Sequence, residues 1–129
     1  KGAFAKKPKG AAWGAPLSGR RICTVASGRN GKFSIEDAVC AGMIIEKMLA
    51  LAPSNGGTEM ELTDGAITAM ALWHHFGPDL VYLCMESEHG KILQKLGFSE
   101  DIFYCGEIDS SAVVPYYRKG EKYGSVSSG

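Results

Sequence analysis

The stretch from Ser34 to Leu51 constrains this chain more than any other. Its only charged side chains are Glu36, Asp37, Glu46 and Lys47, and aliphatic residues, Met, Cys and Gly fill most of the remainder. A helix that is apolar around most of its circumference is a buried one. Ser34 stands where a cap would, and Asp37 occupies the capping-box position three residues on. Pro53, Gly56 and Gly57 end the run. With successive side chains about 100° apart, Asp37 shares a stripe with Ala41, Ile44 and Met48, so the acid is expected at the head of a core-facing stripe. Such a helix needs cover, and the rest of the chain must be read for what can provide it.

Arg20 to Ala26 reads as a strand, because Ile22, Cys23, Thr24 and Val25 form a short, partly β-branched apolar run. Ser27-Gly28-Arg29-Asn30-Gly31 follows as a flexible turn. Thr63 is placed to cap a second helix with Asp64 in its first turn, ending near Gly77. Pro78 suits the first position of another element, Leu80 to Cys84, short enough to be helix or strand. Ser87 to Leu96 reads as helix with Gly97 at its C-terminus, and Ser99 as the cap of a short helix to about Cys105. Val113 to Arg118 reads as a last strand, restricted by Pro115 to an edge, a start or a bulge. Two strands make a poor sheet for this much apolar helix.

Hydrophobic residues make up 45% of the 129 and charged residues 22%, the composition of an ordinary globular domain. Lys plus Arg and Asp plus Glu both number 14, so global charge argues against nucleic acid and anionic membrane as partners. No apolar run approaches the ~20 residues that span a bilayer, and no signal-peptide pattern is present. The basic, Gly- and Ala-rich segment 1–19 reads as an arm or linker, 20–118 as the folded domain, and 119–129 as a flexible tail. Cys23, Cys40, Cys84 and Cys105 show no zinc-ligand spacing, and their apolar neighbours predict buried free thiols in a reducing cytoplasm.

Three constellations can carry chemistry. The first is the strand–turn–helix unit from Ile22 to Leu51, where a glycine turn and a helix N-terminus suit an anion, with Arg29 and Lys32 adding charge. The spacing is that of neither a P-loop nor a dinucleotide fingerprint, and a plain connection is the simpler account. The second is Glu36, Asp37 and Asp64, carboxylates that can hold Mg²⁺ or serve as dipole partners of helix starts. The third is Ser87-Glu88-His89-Gly90, where Ser87 caps and His89 is a general acid or phosphate donor, or a solvent-facing helix start. His74 and His75, adjacent on a helix, face different directions and suit the C-terminal dipole better than a metal.

Three segments, taken together, resemble the 2-phosphosulfolactate phosphatase family. The first runs Ala26-Ser27-Gly28-Arg29-Asn30-Gly31-Lys32-Phe33-Ser34-Ile35-Glu36-Asp37 and on to Cys40-Ala41-Gly42, similar to a block read as CAG-x-x-G-x-F-x-x-ED-x-x-CAG. The second is Leu62-Thr63-Asp64-Gly65-Ala66. The third is Ser87-Glu88-His89-Gly90 with Leu93, Gly97-Phe98, Asp101-Ile102, Cys105 and Asp109, closing on Val113-Val114-Pro115. The likeness covers roughly Arg20 to Arg118 and corresponds to the family's C-terminal half. The family's first-half blocks, D-V-L-R-A-T-T and T-T-N-G-T, do not occur here, and Ala26 and Ser27 stand where the family has Cys and Ala.

The resemblance implies an α/β fold, with helices layered on a small mixed sheet that is completed by self-association or by a missing N-terminal half. It implies a Mg²⁺-dependent phosphatase acting on a small acidic phosphoester such as 2-phosphosulfolactate. Glu36 and Asp37 then become candidates for the metal or for activating water, with Asp64 a further metal ligand. His89 becomes a catalytic candidate, and Ser27, Gly28, Arg29 and Ser87 candidates for the phosphate. The alternative is a truncated, non-catalytic relative that dimerises and binds a small anion or a partner protein.

Overall fold

A computed structural model describes residues 21–51, 60–116 and 125–128. The described residues up to Gly106 form one compact unit, and those from Glu107 onward a second.

The first unit is helical, and most of its helices begin at the caps that the sequence predicts. α1 spans Ile35–Leu51 and α2 spans Asp64–Phe76. Thr63 caps α2, its hydroxyl accepting from the Ala66 N–H at 3.3 Å. A 3₁₀ turn, Gly77–Asp79, carries Pro78 near its start. α3 follows over Leu80–Glu86, capped by Asp79, which accepts from the Tyr82 N–H at 2.8 Å, so the element that the sequence left open is a helix. α4 is Glu88–Lys95 and α5 is Ser99–Cys105. Between them Gly97 has φ +85°; its N–H donates to Gln94 O, and the Phe98 N–H donates to Leu93 O. That pair of bonds is a Schellman motif, which satisfies the last carbonyls of α4. Ser99 was expected to cap α5 but is its first residue; Phe98 takes the cap position without a side-chain bond.

α1 and α2 pack closely, and the contact rests on Gly42. A Cβ at Gly42 would run into the Ala69 carbonyl and come within 2.8 Å of Trp73 Cβ. One turn on, Glu46 Oε2 accepts from Trp73 Nε1 at 2.6 Å, and its Oε1 meets His74 Nε2 at 2.5 Å. The two hydrogen bonds hold the carboxyl of Glu46 below its ordinary value, the Trp73 N–H being the larger influence and His74 the next. His75 instead stands edge-on to Phe76, ring centres 4.6 Å apart.

The buried face of α1 is Val39, Gly42 and Ile45. This corrects the expected stripe through Asp37, Ala41, Ile44 and Met48: Ile44 is 41% exposed. With apolar residues on nearly every side, sequence alone does not select a face; the small residue that admits α2 does. The core is completed by Ala69, Leu83 and Ile102, the last only 1% exposed.

Two further expectations fail. No ladder bond forms along residues 21–26, where a strand was predicted, because no strand lies beside them among the described residues; Val25 is 87% exposed. The cysteines are free as expected but not buried: Cys23, Cys40 and Cys105 are exposed and Cys84 is half-buried.

The second unit is a hairpin of β1, Val113–Tyr116, antiparallel to β2, Ser125–Ser128, with Val113 opposite Ser128 and Tyr116 opposite Ser125. β1 falls where a strand was predicted; β2 lies in the segment read as a tail. The described residues are thus mainly helical, and the hairpin is their one sheet.

Gly42→Ala is expected to destabilise the chain by roughly 1–3 kcal/mol, because the added methyl forces α1 from α2. Gly65→Ala, where an added Cβ meets nothing nearer than 3.9 Å, is the control and should be neutral or stabilising. Denaturant titration of both variants checks this.

Candidate functional site

The segment before α1 folds back on the helix it precedes. Asn30 and Gly31 have φ of +50° and +72°. Arg29 and Lys32 exchange both backbone bonds, at 3.1 and 2.9 Å, making a two-residue hairpin turn. Asn-Gly is the pair that such a turn favours, since both positions need left-handed backbone. The loop read as flexible is therefore a defined turn, which fixes the backbone of Arg29.

Its attachment to α1 runs through Asp37. The Gly28 N–H donates to Asp37 Oδ2 at 2.8 Å, and the Ser27 hydroxyl lies 3.5 Å from the same oxygen. Ser34 caps α1 as predicted, accepting from the Asp37 N–H at 3.2 Å. The Asp37 carboxylate does not return to Ser34 as a capping box would, because the loop offers it the Gly28 N–H instead. The N–H read as a phosphate donor is thus committed to Asp37.

Glu36, next along the helix, turns to another neighbourhood. The Ser34 hydroxyl donates to Glu36 Oε2 at 2.9 Å. Partial burial, the largest single influence, opposes ionisation. The Ser87 hydroxyl, Glu36's own N–H, Ser34 and, last, neighbouring His89 together outweigh it and hold the carboxyl below its ordinary 4.5. Cys84 belongs to this neighbourhood too: burial first, then the charge of Glu36, then Cys105, push its thiol up.

The opposite wall is the joint between α3 and α4. Ser87, 7% exposed, is the buried polar residue of the described core. Its hydroxyl accepts from the Gly90 N–H at 2.9 Å and lies 3.0 Å from Cys84 O. It has one proton, for which Cys84 O and the Glu36 carboxylate compete. Gly90 is needed there because a Cβ would strike the Cys84 carbonyl. His89, exposed on the first turn of α4, receives Arg29 Nη1 at its Nδ1.

The structure therefore joins residues from the first and third sequence constellations. His89 receives Arg29 and neighbours Glu36, which the Ser87 hydroxyl also influences, with Ser27, Gly28 and Asp37 bracing the loop behind them. Asp64 heads α2 at the surface, outside this group. Among the described residues no three of His, Cys, Asp and Glu are grouped to hold a metal ion. Sequence reasoning missed Ser34 and Cys84 as members; the Ser34-x-Glu36 spacing held the signal for the first, and nothing local marks the second.

A guanidinium beside an imidazole is the type of surface that handles oxyanions. The model of the 2-phosphosulpholactate phosphatase family matches residues 11–120. The chain therefore belongs to that family, as its three sequence blocks implied. A probable 2-phosphosulfolactate phosphatase of Gloeobacter violaceus is 37% identical over 94 residues, covering 73% of this chain and 36% of that relative. One of Pseudothermotoga lettingae is 35% identical over 97 residues, 74% of this chain and 39% of the relative. One of Symbiobacterium thermophilum is 28% identical over 114 residues, 83% of this chain and 47% of the relative. The chain thus spans between about a third and a half of the length of these relatives. No solved structure matches it. Among the described residues no helix is long and apolar enough to cross a membrane.

Ser87→Ala should destabilise the chain by about 1 kcal/mol through loss of the α4 cap. It should also raise the Glu36 pKa, since a hydroxyl that favours the carboxylate is gone. A lowered folded pKa contributes stability above the unfolded value of 4.5 that fades as pH falls through the lower folded value. The wild-type chain should show that loss below pH 4.5, and the variant less of it, in carboxyl NMR titration and acid unfolding.

Proposed function

We propose that this chain provides the C-terminal part of a Mg²⁺-dependent phosphatase acting on a small acidic phosphoester, 2-phosphosulfolactate or a relative of it. The observation that carries the proposal is the meeting of Arg29 and His89, 60 residues apart in sequence, beside Glu36. Arg29 keeps further N–H donors for phosphate oxygens after its contact with His89. His89 stands next to it on an exposed helix start.

The two adjacent acids divide the work. Asp37 braces the loop. Glu36 stays ionised and is a weak base at neutral pH, so it suits charge neutralisation better than proton abstraction. The described residues form no complete cation cage, yet Mg²⁺ needs only one or two carboxylates when water and phosphate oxygens fill the other positions. Glu36 would be its ligand here, with water and phosphate oxygens in the other positions. Bound there, the ion would neutralise phosphoryl charge. The layered α/β fold is part of the same proposal: the remaining length of the protein would bring the strands that segment 21–26 lacks. The free thiols suit a reducing cytoplasm.

A second reading is favoured by the share of the relatives' length that the chain spans and by exposed apolar residues such as Val25, Phe33 and Ile67. In it the chain is non-catalytic, self-associates and binds a small anion or a partner protein. Sedimentation at micromolar concentration is expected to show a dimer under this reading; a stable monomer would count against it.

Hydrolysis of an aryl phosphate by the purified chain, with and without Mg²⁺, separates the two. Under the first reading turnover requires Mg²⁺, and Arg29→Ala and Glu36→Gln each lower kcat/KM by about 10²–10³-fold. Absence of turnover with retained binding of inorganic phosphate would favour the second.

A further inference from the structure

We propose that Arg29 is a positioning residue that holds His89 in its Nε2–H tautomer. Arg29 Nη1 meets His89 Nδ1. A guanidinium has only donors and does not lose its proton in proteins, so the ring nitrogen facing it must present a lone pair. In a neutral imidazole the single proton then sits on Nε2.

Both partners are anchored through their backbones. Arg29 is the first residue of the hairpin turn, bonded to Lys32 through both N–H and C=O, and the Gly28 N–H before it is tied to Asp37. His89 lies between Ser87, which caps α4, and Gly90, whose N–H the cap receives. Glu36 is the charged neighbour from α1 that acts on this ring.

The consequence for chemistry narrows the role of His89. With Nδ1 occupied and Nε2 protonated, the ring has no lone pair with which to take a proton from water. It offers one N–H, suited to a phosphate oxygen. His89 is then a donor to the phosphoryl group and not the base that activates water. That consequence rests on the phosphatase reading; the tautomer does not.

The test is a long-range ¹H–¹⁵N correlation spectrum of the ¹⁵N-labelled chain at about pH 8, above the usual histidine pKa. His89→Gln identifies the resonances. Wild type is expected to show His89 as a single Nε2–H tautomer, and Arg29→Ala to convert it to a mixture while His74 and His75 stay unchanged. An Nδ1–H form or a mixture in wild type overturns the proposal. So does an Nε2–H form that survives in Arg29→Ala. Arg29→Met, which keeps the aliphatic stem, replaces Arg29→Ala if that variant loses its dispersed spectrum. No substrate is involved, so an inactive chain with the expected tautomer would sink the phosphatase reading alone.

Discussion

Ser87 is the residue on which the candidate site depends. Its N–H bonds to Leu83 O and closes α3, its hydroxyl accepts from the Gly90 N–H and opens α4, and its C=O accepts from Lys91. One buried side chain thereby sets the angle at which two short helices meet. Short helices have little stability of their own, so a shared cap at their junction matters more than it would inside a long helix. The junction places His89 on the first turn of α4 and presents the hydroxyl to Glu36. Without it, the third sequence block would remain a motif with no fixed direction.

The second requirement is that two adjacent acids on α1 do different things. Glu36 and Asp37 are separated by about 100° around the helix. Asp37 reaches back to the Gly28 N–H and Glu36 reaches across to the α3–α4 joint. The loop is thus stitched to the helix by one carboxylate, and Arg29 at its turn reaches His89, which neighbours the other. The intervening Asn30-Gly31 turn shortens the path between them. A flexible loop could carry the same residues, but ordering it on binding would cost entropy that the preformed turn has already met.

The parts legible in sequence were those fixed by local chemistry. Ser34, Thr63, Ser87 and Gly97 each signal a helix end through bonds to residues no more than five away, and all four take those positions. The sequence also singled out Arg29, Glu36, Ser87 and His89. What it could not give is non-local. Which face of α1 is buried depends on Gly42 accepting the Ala69 backbone, and a helix apolar on most sides carries no periodic mark of that choice. The strand expected near Val25 needs a neighbour that propensity does not provide. The exposure of Cys23, Cys40 and Cys105 has the same origin: apolar context predicts burial only when something is there to cover it.

These two kinds of information separate along functional lines. The contacts that build the site, from Gly28 to Asp37, Ser34 to Glu36, Ser87 to Gly90 and Arg29 to His89, all lie within one compact unit. The cover of α1 is another matter: among the described residues Ile44 stays 41% exposed after α2 has packed. Hydrophobic burial is non-directional and can be completed by any apolar surface of suitable shape, whereas the hydrogen bonds of the site fix distance and angle. A chain of this kind can hold the geometry for an oxyanion while its fold still calls for more apolar cover. Shape and chemistry are therefore assembled by different forces here, and the chemistry is the more local of the two.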